Sequence, residues 1–220
     1  MKNNKAFSLI ELAIVITIIG ILVAGVSATQ KLLDQSKQRG VVRQAENYRT
    51  AIATFRLTYK TLPGDMIDAA SYWSACTDES GNTCNGDGDG NIETIGDVSY
   101  ESYRAWQHLS LADVIKESYT GLGSSSTIGI NVAKSPYSDT CFNFNYLSSR
   151  NGLMLGGISV ACDGTTLTTR QAYHIDQKAD DGNSITGSIY GLTSGCSSAS
   201  GVYTLLTTTP VCYLQFSIIE

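Results

Sequence analysis

The sequence predicts an α+β protein in which one long N-terminal helix packs on an antiparallel β-sheet head tied by disulfides. Three observations predict it. Residues 7–26 form an apolar run with a single ionisable group, and an amphipathic repeat follows with no proline before Pro63. The remaining chain, 61–220, is rich in Gly, Ser, Thr and Tyr and carries short β-favouring runs. All six cysteines fall in that last part, an even number that suits an oxidising compartment.

Composition narrows the class. With 220 residues, 42% hydrophobic and 16% charged, the chain has material for one domain with an appendage. It is neither disordered nor a coiled coil throughout. Its 21 Gly beside 3 Pro exclude collagen and proline-rich linkers. The formal net charge of -5 is segregated along the chain. Residues 1–6 carry Lys2 and Lys5 and no acid, whereas 27–60 carry seven bases and two acids. Residues 61–220 carry six bases and seventeen acids. A basic leader (1–6), an apolar rod (7–26), a basic stalk (27–60) and an acidic head (61–220) follow one another. The acidic head argues against direct nucleic-acid binding through its general field.

The rod reads FSLIELAIVITIIGILVAGV, 20 residues with Glu11 as its one charge. That length crosses a bilayer as a helix. Lys2 and Lys5 then place the leader in the cytoplasm by the positive-inside rule. An ordinary secretory signal would be cut after the core, near Ala24, Ser27 or Ala28. The run is long for such a signal, and a helical pattern continues straight past it. A carboxylate inside hydrocarbon is costly unless paired or protonated, so Glu11 reads as functional. Cutting between Ala6 and Phe7 would create an α-amino group, and another copy of the chain could offer it to Glu11 at similar depth.

The stretch KAFSLIELAIVITIIGIL resembles the N-terminus of type IV prepilins and type II secretion pseudopilins. The resemblance implies a pilin-like fold and cleavage after Ala6 by a prepilin peptidase. It implies N-methylation of Phe7 and pairing of Glu11 with the terminal amine of a neighbouring subunit. The implied partners are that peptidase, other pilin or pseudopilin subunits and an inner-membrane assembly platform. The implied location is the bacterial inner membrane as a single-pass precursor with its head in the periplasm. A periplasmic pseudopilus or a cell-surface pilus follows. Gly20 matches a common glycine of the family. Ala6 stands where Gly is more usual. Ala28 stands near the place of a helix-kinking proline, so bending here would fall to Gly20, Gly25 and Ser27. The alternative from another class is a monomeric membrane-anchored extracytoplasmic binding protein or adhesin that keeps its leader.

In the stalk, Val41, Ala45, Tyr48, Ile52, Phe55 and Tyr59 recur at spacings of four and three, which lines one helix face. A helix running unbroken over 7–59 would be about 80 Å long at ~1.5 Å per residue. It should end near Leu62-Pro63-Gly64. The stalk's basic residues read either as a solvated face or as contacts for the acidic heads of other copies.

The head's strand candidates are 141–147, 153–162, 185–192, 202–206 and 211–219. A turn joins the first two at 148–152, with Asn151-Gly152 as its strong part. Residues 100–116 read as a short helix. Six cysteines allow fifteen pairings. Nearest-neighbour pairing, Cys76–Cys84, Cys141–Cys162 and Cys196–Cys212, is favoured because each closes a short loop or hairpin. No C-x-x-C pair exists and both histidines lie far from any cysteine in sequence, which argues against zinc.

Residues 85–93 offer a candidate calcium loop. Asn85, Asp87, Asp89, Asn91 and Glu93 place oxygens at every second residue, with Gly90 sixth and Ile92 eighth. The twelfth position is Gly96 rather than a bidentate Glu, so Glu93, Asp97 or oxygens from elsewhere would have to complete the set. The other reading is a surface loop tied by Cys76–Cys84. A second acidic group surrounds Asp176, Asp180 and Asp181, read as a turn capping backbone amides or as a metal or intersubunit contact. Catalysis is not expected. No G-x-S-x-G motif occurs, residues 121–126 lack a phosphate-loop lysine, and His108 sits at helical packing spacing.

Overall fold

The computed structural model describes residues 8–74, 76, 83–94 and 101–218, without the side chains of Ala24, Ser27 and Ala28. In chain order the elements are α1 (Leu9–Tyr59), α2 (Ala69–Tyr72), α3 (Glu101–Leu111), β1 (Ala133–Lys134) and β2 (Thr140–Leu147). Then come β3 (Arg150–Gly157), α4 (Thr169–Ala179), β4 (Ile189–Leu192) and β5 (Tyr213–Ser217). The chain divides into two compact units, residues 1–37 and Gln38–Glu220. The helix α1, 51 residues long, contributes to both.

The first unit is helical from Leu9 onward, and its apolar side chains are exposed. Leu9, Ile10, Leu12, Ile16, Ile21 and Leu22 all leave more than half their surface uncovered. Among the described residues, no helix is long and apolar enough to cross a membrane. The expected span, 7–26, includes Phe7 and the Ala24 side chain, which lie outside the described residues.

In the second unit the predicted stripe is the core. Val41, Ala45, Tyr48, Ile52 and Phe55 are each at most 5% exposed, and Tyr59 is half-buried against them. Tyr48 meets Trp106 of α3 edge-on at 4.8 Å and Phe142 of β2 at 5.7 Å. Each such aliphatic or aromatic side chain contributes about 2 kcal/mol by leaving water. The helix stops at Tyr59, short of the proline. Lys60 takes a left-handed φ of 62° and its N–H bonds to the Arg56 carbonyl, which closes the last turn ahead of Pro63-Gly64.

The sheet is antiparallel throughout, in the order β1-β2-β3-β5-β4. Leu147 faces Arg150, so the β2–β3 turn is the pair Ser148-Ser149, with φ of 53° and 60°. Two successive positive φ values suit a tight hairpin whose twist matches the strands. Asn151-Gly152, the expected turn, lies inside β3 instead. The register seats Leu153 and Leu155 opposite Phe144 and Phe142 in the core. Gly152 has no room for a side chain there, because a Cβ would sit 2.4 Å from the Gln215 side chain.

Other boundaries shift for local reasons. The helix expected over 100–116 ends at Leu111, and Asp113 turns left-handed with a φ of 55°. Of 185–192 only Ile189–Leu192 pairs. Residues 202–206 form no strand: Tyr203 makes one isolated bridge to Ser197, and Leu206 is almost fully exposed. The helix α4 was not foreseen. A Thr168–Gln171 capping box starts it, with the Thr168 hydroxyl accepting the Gln171 N–H and the Gln171 side chain accepting the Thr168 N–H. The disulfides are Cys76–Cys84, Cys141–Cys162 and Cys196–Cys212, the nearest-neighbour set.

Candidate functional site

At the N-terminus, Ala6 and Phe7 lie outside the described residues. Glu11 sits in the first turn of α1, and its carboxylate accepts the Ser8 N–H at 2.8 Å. The Ser8 hydroxyl in turn accepts the Ile10 N–H at 3.3 Å. This is a capping arrangement from Ser8-Leu9-Ile10-Glu11, a serine and a glutamate three residues apart. Ser8 and Glu11, three residues apart, are its signal in the sequence. The arrangement holds the carboxylate at the start of the helix, on the Ser8 amide.

In the head, the segment 85–93 is built onto residues 64–67. Gly86 donates its N–H to the Met66 carbonyl, and a Cβ on Gly86 would lie 2.3 Å from the Gly64 carbonyl oxygen. Two buried carboxylates grip the segment's backbone. Asp65 Oδ2 accepts the Gly90 N–H at 3.1 Å. Glu101 takes the Asp87 N–H at 3.0 Å and the Glu93 N–H at 3.4 Å. From β3, Asn151 accepts the Ile92 N–H and donates to the Gly90 carbonyl, both at 2.8 Å. His108 joins the two segments from α3. Its Nδ1 accepts the Gly64 N–H at 2.9 Å, so its Nε2 carries the proton toward the Cys84 carbonyl at 3.0 Å. His108 is thus close to a cysteine in space, but Cys84 is already bonded to Cys76.

Burial sets the electrostatics here. It pushes the Asp65 carboxyl up to about 6, with the charges of Asp89 and Asp87 adding to the effect and the Gly90 and Gly88 amides opposing it. Burial pushes Glu101 up to about 8. It holds His108 down to about 4, so the imidazole stays neutral.

The five expected ligands are divided. Carboxylate oxygens of Asp87 and Asp89 converge with one from Asp65, all within 4.8 Å of one another. Asn85 instead caps the Ala70 N–H at 2.9 Å. Asn91 donates to Asp89 through both its backbone and its side chain. Glu93 meets Glu101 through its backbone N–H at 3.4 Å. The grouping includes Asp65, which lies 20 residues upstream of the loop and outside any spacing rule.

The second acidic group is a set of caps. Asp176 is fully buried at the end of α4, taking the Tyr203 hydroxyl at 2.7 Å and the Gly182 N–H at 3.0 Å. Asp180 accepts the Ser188 and Ile189 amides, and Asp181 accepts the Asn183 amide and the Thr186 hydroxyl. The Asp180 and Asp181 bonds are those of the capping reading, and carboxylate oxygens of Asp176, Asp180 and Asp181 also lie within 4.8 Å of one another.

Residues 1–27 match the family model described as the prokaryotic N-terminal methylation motif. The chain therefore carries the N-terminal signal of type IV pilins and pseudopilins. The motif supports a pilin-like or pseudopilin precursor. Neither a curated protein nor a solved structure matches the chain.

Proposed function

We propose that the chain is a structural subunit of a type IV pilus or type II secretion pseudopilus, and that its mechanism is assembly rather than catalysis. The observation that carries this is the methylation motif at 1–27 running directly into one unbroken helix, Leu9–Tyr59. Exposed apolar residues over the first part of that helix need a cover, first lipid and then the helices of other subunits. The precursor sits in the bacterial inner membrane with Lys2 and Lys5 in the cytoplasm and the disulfide-tied head in the periplasm. A prepilin peptidase cuts between Ala6 and Phe7, and the Phe7 nitrogen is methylated. The assembly platform then lifts the subunit so that Glu11 pairs with the Phe7 amine of a neighbour and sets the axial offset.

Intact mass and N-terminal peptide mass of the protein from its native membrane test the processing step. An N-methylated Phe7 terminus is expected. An intact Met1 overturns the proposal in favour of the anchored binding protein or adhesin, and a terminus near residues 25–29 means secretory cleavage. Glu11→Ala should stay in the membrane yet form no polymer, read by electron microscopy of sheared fractions. Normal filaments from that variant refute the pairing role.

A further inference from the structure

We propose that Asp65, Asp87 and Asp89 form a calcium site at the base of the 85–93 loop, with Asp65 as its buried anchor. The proposal is independent of filament assembly and rests on the head alone. A carboxylate oxygen from each residue lies within 4.8 Å of the other two. Two oxygens bound to opposite sides of a calcium ion at ~2.4 Å are separated by about that distance. Asp65 is only 3% exposed, and its Oδ1 has no hydrogen-bond donor among the described residues. A buried carboxylate oxygen without a donor, on a side chain grouped with two further carboxylates, is strongly unfavourable. A divalent cation removes that penalty at all three groups together.

The neighbourhood fixes the three side chains before any ion arrives. Asp65 is held through Oδ2 on the Gly90 amide, Asp87 through Oδ1 on the Asp89 amide, and Asp89 through Oδ1 on the Asn91 amide. Asn151 and Glu101 hold the same backbone from the sheet and from α3. The ligand set is carboxylate oxygen alone, with no histidine or thiol beside it among the described residues, which suits a hard cation. Asp87 and Asp89 face solvent, so water can complete the coordination. The resulting site has one dry side and one wet side, in keeping with weaker extracellular calcium modules whose Kd is roughly 10⁻⁴ to 10⁻³ M.

The test uses the full chain in detergent at neutral pH, stripped with a chelator and titrated with calcium chloride or magnesium chloride. Calorimetry reads stoichiometry, and thermal unfolding reads the shift. The expected result is one calcium per chain, a Tm that rises with calcium, and a response to magnesium at least roughly tenfold weaker. Asp65→Asn and Asp89→Asn should each weaken calcium roughly tenfold or more, whereas Asp181→Asn should bind as the unaltered chain does. Asp89 is exposed, so Asp89→Asn keeps the proposal testable if Asp65→Asn fails to fold. Absence of stoichiometric binding by the unaltered chain overturns the site. So does calcium binding that survives Asp89→Asn but is lost in Asp181→Asn.

Discussion

His108→Gln isolates a single buried titration. The imidazole is fully buried between Gly64 and Cys84 and is held down to about 4, from an ordinary 6.5, chiefly by burial. Above pH 6.5 both the folded and unfolded chains carry it neutral, and its contribution to stability is complete. Between 6.5 and about 4 the unfolded chain binds a proton that the folded chain refuses, so stability is lost as the pH falls. A depression of about 2.5 units at 1.36 kcal/mol per unit is about 3 kcal/mol by pH 4. Asp65, Glu101 and Asp176 are raised, so their protonation in the folded chain stabilises it on acidification, opposite in sign. Only the difference between two chains separates His108 from them. Glutamine can accept from Gly64 and donate to Cys84 as the neutral ring does, yet it does not titrate. Urea unfolding of both chains in detergent at pH 7, 6, 5 and 4 gives that difference. Whatever advantage the unaltered chain has at pH 7 should shrink, or reverse, by about 3 kcal/mol at pH 4. Parallel profiles, agreeing within roughly 0.5 kcal/mol across the range, would refute the reasoning.

Two further outcomes follow from packing and polar satisfaction. Phe55→Ala empties a fully buried site beside Trp73, Tyr59 and His108, and should cost about 3–5 kcal/mol in urea unfolding. Asn151→Ala leaves the buried Ile92 amide and the Gly90 carbonyl without their partner, and should cost about 1–3 kcal/mol. Hydrogen exchange at Ile92 should also accelerate in that variant, while amides in the middle of β3 keep their protection.

The helix and its buried face were legible in sequence because periodicity reports burial directly. Val41, Ala45, Tyr48, Ile52 and Phe55 all point where their spacing says. The cysteine pairing followed from proximity along the chain. The β2–β3 turn did not, because Asn-Gly is a strong local signal that lost to register. Leu153 and Leu155 needed the core, and Asn151 was taken up by the neighbouring loop. The strand read at 202–206 failed for lack of a partner, since β-favouring residues form a strand only where a neighbour offers a ladder. The start of α4 was legible in Thr168 and Gln171 but was overshadowed by the acidic residues after it. Of the three converging carboxylates, spacing points to Asp87 and Asp89 but not to Asp65. That residue arrives through the contact of Gly86 with Gly64 and Met66, a tertiary event with no local signature.

The three disulfides join consecutive cysteines, so their loops lie one after another along the chain and none encloses another. For a chain entering an oxidising compartment in order of its sequence, Cys84 is the first partner that Cys76 meets. The same holds for Cys162 with Cys141 and for Cys212 with Cys196. Oxidation in order of appearance is therefore already correct, and maturation requires no reshuffling of wrong bridges. The helix α1 has no cysteine and lies outside every loop. The covalent history of the head can thus be complete before the helix takes its place in the core.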